Sequence, residues 1–336
     1  MLALRFPELR KMEVVEVPVP EVGARDLLVR VASSGICGTD PHILHGFYPA
    51  TFPLIPGHEY AGVVEAAGSE VEGFRPGDHV AVDPNILCGV CSFCRAGKVH
   101  LCKNLVALGV NLPGGFAELS VVPAKQAYLL PKDLPLAHAA LAEPVACCLR
   151  GMDLAQIRSG DRVALFGAGP MGAIMLQLAL MQGAVTVIAI DPLEGRRRRA
   201  ERLGAHWVID PGREEPVVAI RDRYPDGIEV VFDCSGNVQA VRQGLEMVMR
   251  GGTMMLYGVC SKEERLEISP FWVNDNEITV RGSYNNPNTM ARAVDLIAGG
   301  RLDAAAVVTH HFPLKSALEA FRAAGSSETL KVLIDP

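Results

Sequence analysis

Four cysteines fall within one short stretch of the sequence, CGVCSFCRAGKVHLC, which runs from Cys88 to Cys102. The gaps between Cys88, Cys91, Cys94 and Cys102 are two, two and seven residues, and two-residue gaps let successive thiolates turn toward one centre. Four thiolates at about 2.3 Å complete the tetrahedral shell of a structural zinc ion, which has no open position for substrate. The spacing therefore predicts zinc. An iron–sulfur cluster, a redox pair or four free thiols are the alternatives.

A second set of residues able to bind a metal is scattered along the first half of the chain. Thiolate, imidazole and carboxylate groups are all competent zinc ligands, and a catalytic site keeps one position for water or substrate. These residues lie in GICGTDPHI, PGHEYAG and LAEPVACC: Cys37, Thr39, Asp40, His42, His58, Glu59 and Glu143. Their spacing is not diagnostic, so each residue taken alone fits a structural role as well.

A glycine-rich turn, GAGPMG, follows the apolar run RVALF and opens a predicted helix at Gly167, Gly169 and Gly172. In that context the glycines allow a tight turn, close approach of a pyrophosphate, and close packing of the helix on the sheet. Asp191 ends the next predicted strand, where its carboxylate would bind ribose hydroxyls and repel a 2'-phosphate. This predicts NAD rather than NADP, although Arg196 could partly neutralise a phosphate. A helix-packing glycine turn beside a surface aspartate is the alternative.

The predicted cofactor site also includes residues around the turn and at the ends of later strands: Pro170, Met171, Arg196, Ser235, Gly258 and Ser283. The basic run Arg196–Arg199 lies on a predicted helix and is interpreted as a solvated face.

The elements that must position these residues change in type along the chain. Residues 1–145 contain short β-branched runs separated by Gly and Pro, which indicates an all-β, barrel-like region with long loops. From residue 146 to 285 apolar strands alternate with helices, a pattern typical of a parallel sheet covered on both faces. Residues 286–336 contain two predicted helices, NTMARAVDLIAGG and PLKSALEAFRAAG, and a terminal strand, LKVLID.

The composition excludes several classes of function. The chain has 336 residues, of which 49% are hydrophobic and 21% charged, as expected of a globular protein. A net charge of -6 argues against a nucleic-acid partner. Neither a signal peptide nor an apolar run of about 20 residues is present, so we expect no membrane partner and a cytoplasmic location, where cysteines stay reduced.

Six motifs of the chain occur in the order seen in zinc-dependent medium-chain alcohol dehydrogenases. They are GICGTDPHI, GHEYAGVV, the four-cysteine loop, GGFAELSVVP, AEPVACC and GAGPMG. The chain most resembles the branch of polyol, sorbitol-type and threonine dehydrogenases. The resemblance implies an α/β protein with two domains. A GroES-like β-barrel catalytic domain is expected over 1–145 and 286–336, and a Rossmann domain with a doubly wound parallel sheet over 146–285.

The resemblance also implies a set of roles. Two zinc ions per chain are expected, one held by the four loop cysteines and one catalytic ion held by Cys37, His58, Glu59 and Glu143. Thr39 and His42 would occupy the proton-relay positions of the family, and Asp40 would lie just behind the metal ligands. A dimer or tetramer is the expected assembly, with the edge of the Rossmann sheet as the candidate interface.

The charges of the proposed ligands affect the Lewis acidity of the catalytic metal. Cys37, Glu59 and Glu143 are negative and His58 is neutral, so the loaded set has a net charge of -1, which weakens a Lewis acid. His58 and Glu59 are also adjacent, and joint ligation requires the irregular backbone that Pro56 and Gly57 supply. We therefore hypothesise that Glu59 is a displaceable ligand.

The predicted reaction is oxidation of a secondary alcohol or polyol to a ketone, with hydride transfer to NAD. The run VACCLRG differs from the Gly-Asn-Ala-Val-His run of threonine dehydrogenases, and Asn285 stands where sorbitol dehydrogenases carry an arginine. The polar groups there are Asn285, Asn286 and Asn288, and Arg150 or Arg281 could bind a sugar phosphate. Threonine and sugar-phosphate dehydrogenases, a zinc-free quinone reductase and a non-enzymatic zinc module remain alternatives.

Overall fold

The computed structural model describes residues 1–326 and 329–336. Its strands are Leu2–Arg5 (β1), Glu13–Glu16 (β2), Asp26–Gly35 (β3), Glu59–Ala67 (β4), His79–Val82 (β5), Asn85–Ile86 (β6), Val106–Ala107 (β7), Leu119–Pro123 (β8), Ala127–Leu129 (β9), Arg162–Phe166 (β10), Thr186–Ile190 (β11), Trp207–Ile209 (β12), Ile228–Asp233 (β13), Val248–Leu256 (β14), Thr279–Gly282 (β15), Val308–Pro313 (β16) and Lys331–Asp335 (β17).

The helices are Thr39–Leu44 (α1), Ser92–Arg95 (α2), Leu136–Ala139 (α3), Ala142–Ala155 (α4), Pro170–Met181 (α5), Glu194–Arg202 (α6), Pro216–Arg223 (α7), Val238–Met247 (α8), Pro270–Asp275 (α9), Met290–Ala298 (α10), Ala304–Val307 (α11) and Ala317–Ala324 (α12). Short 3₁₀ turns cover Val99–Leu101, Ala124–Gln126 and Leu314–Ser316. Among the described residues, none of these helices is both long and apolar enough to cross a membrane. The chain divides into two compact units, 1–146 with 286–336, and 147–285.

The first unit is built on a mostly antiparallel sheet with the order β16-β17-β3-β4-β5-β9, to which β8 adds by pairing with β3. Leu27, Val29 and Val31 alternate along β3 and are buried in one core cluster with Tyr60 of β4, as expected when one face of a strand meets the core. The end of β3 has a strand on each side, because Gly35 pairs with Glu59 of β4 and with Leu333 of β17. Residues far apart in sequence therefore meet at this end of the sheet.

The second unit is a six-stranded parallel sheet with the order β12-β11-β10-β13-β14-β15. In chain order this is the 3-2-1-4-5-6 arrangement of a Rossmann sheet, whose strand carboxyl ends form the ligand-binding edge. Its central strands, such as RVALF and TVIAI, are apolar runs buried along almost their whole length, as is typical of a sheet covered on both faces. The predicted parallel sheet is confirmed, while the shorter elements β12, α7 and α9 were not predicted.

Candidate active site and metal centres

The sulfur atoms of Cys88, Cys91, Cys94 and Cys102 all lie within 4.8 Å of one another. Two of the separations are 3.4 Å, between Cys88 and Cys102, and 4.0 Å, between Cys91 and Cys102. Zinc–sulfur bonds of about 2.3 Å in a tetrahedron place sulfur atoms roughly 3.8 Å apart. The arrangement therefore fits a zinc ion in which all four positions are taken by protein.

Local backbone geometry favours the metal-binding thiolate form of Cys91. Cys91 precedes α2, and the backbone N–H groups of Cys94 and Lys103 lower the pKa of its thiol to about 6. The thiolate is the species that binds metal. The loop is closed at its base by the pairing of β6 with β7, through Asn85 with Ala107 and Ile86 with Val106.

Three of the four residues predicted to hold the catalytic metal are brought together in the first unit. One ligand atom from each of Cys37, His58 and Glu59 lies within 4.8 Å of the others. Cys37 follows the end of β3, and Glu59 begins β4 opposite Gly35. Glu143, the fourth predicted ligand, lies outside this group, buried in the first turn of α4. A thiolate, an imidazole and a carboxylate form a donor set that fits a catalytic zinc.

Asp40 and His58 each have a buried atom for which the described residues provide no hydrogen-bond partner. Asp40 is completely buried and accepts a hydrogen bond from the Cys37 backbone N–H at 2.8 Å through Oδ2. Its Oδ1 lies 3.6 Å from Nδ1 of His58, and neither atom has a hydrogen-bond partner among the described residues. A metal-binding histidine commonly turns one ring nitrogen toward such a carboxylate. The geometry thus places Asp40 directly behind His58, leaving the other ring nitrogen for a metal.

The charges around His58 favour a cation at this position. Burial lowers the pKa of His58, but the negative charges of Cys37 and Asp40 more than offset that effect and raise the pKa well above its ordinary value. A divalent cation bound by the same residues would be stabilised by the same negative charges.

Sequence reasoning missed Lys331, the residue that contacts Glu59. The Lys331 Nζ lies 2.5 Å from Glu59 Oε2, and both side chains are buried. Burial lowers the pKa of Lys331, but the nearby negative charges of Glu59, Cys37 and Glu143 raise it overall. The available signal was a lysine inside the apolar strand LKVLID, since a buried charge in a strand needs a partner.

The two residues predicted to relay a proton lie on α1. The Thr39 hydroxyl oxygen is 3.6 Å from the Cys37 sulfur, so Thr39 borders the candidate metal site. His42 is solvent-exposed, and its ring meets that of Phe47 edge to face. Positions three apart share one side of a helix. His42 is thus placed one turn farther toward solvent than Thr39.

In the second unit the glycine-rich turn has the backbone its motif requires. Gly167 has a positive φ of 92°, and Gly169 immediately precedes α5, which begins with Pro170. A Cβ atom at Gly172 would lie 1.9 Å from the Gly167 carbonyl oxygen. Only glycine lets α5 start this close to β10. The helix N-terminus is therefore positioned at the carboxyl edge of the sheet, where a pyrophosphate is stabilised.

Asp191 follows β11 at the same edge and is almost fully buried. Its Oδ2 accepts a hydrogen bond from the Ala168 backbone N–H, and its Oδ1 accepts one from Leu193, both at 2.8 Å. The guanidinium of Arg196 lies 3.8 Å away. The carboxylate is thus fixed beside the glycine-rich turn.

The interpretation of Arg196–Arg199 as a solvated face is wrong for Arg197. That side chain is buried, donates to the Asp191 carbonyl oxygen at 2.7 Å and forms an ion pair with Asp210 at 2.7 Å. One member of the basic run therefore secures the end of β11 rather than facing water. Arg198, in contrast, is exposed and pairs with Glu194.

Other predicted cofactor residues also follow strands of this sheet. Ser235, after β13, donates its hydroxyl to Asp233 Oδ1 at 2.6 Å, and Gly258, after β14, donates its N–H to the Asp233 carbonyl at 2.7 Å. Ser283 follows β15 and has a buried hydroxyl oxygen with no bond among the described residues. Met171 lies in the first turn of α5, where its carbonyl faces the Cys148 thiol at 3.7 Å.

The side chains considered for substrate recognition do not form one group. Asn286 is buried in the first unit, and its Oδ1 accepts a hydrogen bond from Asn85 at 2.7 Å. Arg281 is on β15 and points a nitrogen toward the Leu154 carbonyl at 3.4 Å. These contacts give Asn286 and Arg281 structural partners within their own units.

Comparison with protein families agrees with this arrangement. Residues 23–132 match the model of the alcohol dehydrogenase GroES-like domain, and residues 170–299 match that of zinc-binding dehydrogenases. The chain belongs to the zinc-dependent medium-chain alcohol dehydrogenases. The predicted family and the GroES-like plus Rossmann fold of this dehydrogenase are thus confirmed.

Relatives of the dehydrogenase extend over its whole length. It is 36% identical to an L-threonine 3-dehydrogenase from Anaeromyxobacter sp. (strain Fw109-5), covering 95% of this chain and 94% of the relative. It is also 36% identical to D-altritol 5-dehydrogenase from Agrobacterium fabrum, covering 96% and 95%. A zinc-binding dehydrogenase from Sinorhizobium meliloti 1021, solved bound to NADP, superimposes with a TM-score of 0.98 at 41% identity, covering 100% and 99%. The dehydrogenase thus resembles enzymes of the polyol and threonine branch.

Proposed function

We propose that this dehydrogenase oxidises a secondary alcohol or polyol to a ketone with NAD as hydride acceptor. The gathering of Cys37, His58 and Glu59 beside Thr39 carries the proposal, because it combines a metal donor set with a hydroxyl that can take part in proton transfer. The similarity to a D-altritol dehydrogenase supports a polyol. The run VACCLRG, which differs from that of threonine dehydrogenases, supports a substrate other than threonine.

Each residue of the site then has a role in the reaction. Bound by Cys37, His58 and Glu59, with Glu143 as the proposed fourth ligand, zinc would supply the Lewis acidity that lowers the pKa of an alcohol hydroxyl. Asp40 orients His58. Thr39 accepts the hydroxyl proton, and His42 passes it to solvent.

The second unit provides the hydride acceptor. NAD would be held by the N-terminus of α5 and by the residues that follow strands β11, β13, β14 and β15, and it would take up the hydride from the substrate carbon. Asp191 would accept hydrogen bonds from the adenosine ribose. The reduced cysteines that both metal sites require match the cytoplasm, the compartment we propose.

Purified protein tests the function directly. NADH formation is measured with matched panels of pentitols and hexitols, simple secondary alcohols, threonine and sugar phosphates. We expect the highest kcat/KM with a polyol or secondary alcohol and loss of activity when zinc is removed by a chelator. Highest activity with threonine or a sugar phosphate, or full activity without zinc, would contradict the proposal.

Replacing His42 by Ala is expected to lower kcat roughly 10- to 100-fold, because the proton loses its path from Thr39 to solvent. The pH dependence of kcat/KM should change while zinc content stays the same. His45→Ala provides the matched control, since His45 is exposed at the end of the same helix and also contacts the Phe47 ring. A His42→Ala enzyme with the wild-type pH–rate profile would remove His42 from the relay.

Cofactor choice is expected to depend on Asp191. Because its carboxylate would repel a 2'-phosphate, the wild-type enzyme should prefer NAD, and Asp191→Ser should raise the NADP-to-NAD ratio of kcat/KM about 10-fold by leaving Arg196 unopposed. Glu194→Ser, which removes an exposed carboxylate from the same helix, should leave the ratio unchanged. A wild-type preference for NADP would show that Arg196 outweighs Asp191.

We also propose that a second copy of the chain pairs with the edge strand β15. All four residues of β15 are exposed, including Val280, and Tyr284, two residues beyond the strand, exposes a large aromatic side chain. An exposed, partly apolar sheet edge is a ready template for strand pairing. A monomer in sedimentation velocity at micromolar concentration would contradict this assembly.

A further inference from the structure

Lys331 forms an ion pair with a candidate metal ligand in the interior of the first unit. Its side chain is 2% exposed and that of Glu59 is 1% exposed, and Nζ lies 2.5 Å from Oε2. The ammonium also donates to the Ile36 carbonyl oxygen at 3.2 Å. Burying an ammonium is costly unless it is paired. Such a contact at the metal site points to a function.

The sheet is built to allow this contact. β3 separates the strands that carry Lys331 and Glu59, and its residue between them is Gly35. A Cβ atom at Gly35 would lie 2.5 Å from Glu59 Oε2 and 3.2 Å from Lys331 Cδ. The absence of a side chain at this position opens the space through which Lys331 reaches across β3. The pair is therefore a product of the strand register.

The contact places Glu59 between two competing cations. Lys331 donates a hydrogen bond to Oε2 of Glu59. A metal held by Cys37, His58 and Glu59 would be attracted by the same carboxylate charge. A charge-assisted hydrogen bond to an ammonium withdraws electron density from a carboxylate and fixes its direction. Both effects make Glu59 a weaker ligand than an unpaired carboxylate, and Glu59 is the residue of the group that accepts the hydrogen bond of Lys331.

We propose that Lys331 is a positioning residue that restrains Glu59 and keeps it a displaceable ligand of the catalytic metal. The inference rests on the metal site of the proposed function. It explains how a donor set with several negative charges keeps a position that an incoming oxygen or nitrogen ligand can take. Without Lys331, Glu59 would bind the metal firmly and close that position.

The test measures ligand exchange at the metal rather than turnover. The catalytic zinc is replaced by Co²⁺, and the visible spectrum is followed during titration with azide. Lys331→Met should weaken azide binding about 10-fold, since a charge-assisted hydrogen bond no longer restrains Glu59, and should shift the starting spectrum. Lys331→Arg should restore wild-type azide binding, because it preserves the cation.

A double variant keeps the test decisive if Lys331→Met folds poorly. Lys331→Met with Glu59→Gln removes both charges, so no unpaired ion is buried, and it should bind azide at least as tightly as wild type. Lys125→Met is the control for loss of a lysine outside the site, because Lys125 lies on the 3₁₀ turn Ala124–Gln126. Wild-type azide binding and spectrum in Lys331→Met, or no rescue by Lys331→Arg, would overturn the inference. An enzyme inactive on alcohols that still shows these shifts would instead overturn the proposed function.

Discussion

Replacing Cys37 by Ala is expected to lower kcat/KM about 1,000-fold or more while the protein stays folded. The sulfur of Cys37 belongs to the group that would hold the catalytic metal, and a Lewis acid supplies several kcal/mol of stabilisation to a developing alkoxide. Cys37 is only partly buried and lies just beyond the end of β3, so loss of one sulfur atom leaves the core intact. Zinc content should fall from about two ions per chain to about one.

Three measurements distinguish this outcome from general unfolding. Metal analysis reports the lost ion, thermal unfolding reports stability, and NADH titration reports the cofactor site. We expect a Tm within a few degrees of wild type and unchanged NADH binding. Cys260→Ala is the matched control, because Cys260 lies outside both metal groups. A Cys37→Ala enzyme with near-normal turnover and two zinc ions would place the catalytic metal elsewhere.

The two metal groups differ in how far sequence could predict them. The loop cysteines lie within fifteen residues of one another, so their spacing is a local signal and the structure gathers their sulfur atoms as expected. Cys37 and Glu59 meet only because Gly35 pairs with Glu59 across β3 and β4. That register depends on the whole sheet, and a family resemblance rather than spacing was needed to group these residues.

Lys331 shows where sequence reasoning ends. It is 272 positions from Glu59 in the chain, and the contact depends on β17 lying beside β3 and on the empty space at Gly35. The predicted strand LKVLID was correct, but its sequence does not show which strand it joins. The Rossmann strands were easier, since apolar runs such as RVALF are buried along almost their whole length and stand out in the sequence. Strand β12 has three residues and α7 has eight, which is too few for a clear period.

Replacing Cys91 by Ser is expected to have the opposite signature to the Cys37 variant, with stability lost and the intrinsic chemistry retained. Cys91 belongs to the four-cysteine group that would hold the structural zinc, and its thiol has the lowered pKa that a metal-binding thiolate needs. Loss of a structural metal is among the largest single-residue effects on stability, on the order of 3 kcal/mol. For a unit of this size, we expect Tm to fall by about 6 to 12 °C.

The physical reason lies in the loop that the four cysteines would close around a metal. Between β6 and β7 the chain forms only the four-residue α2 and a 3₁₀ turn, and Phe93 and Leu101 expose apolar surface rather than packing in a core. The entropy of ordering such a loop must therefore be offset largely by the metal–sulfur bonds.

Limited proteolysis should cut residues 88–102 of Cys91→Ser first, and the Cys260→Ser control should resist. Below the lowered Tm, kcat per folded molecule should stay within about 3-fold of wild type, since the four sulfur atoms leave no open position for substrate. A Cys91→Ser protein with wild-type Tm but lost turnover would reverse the roles assigned to the two metal groups.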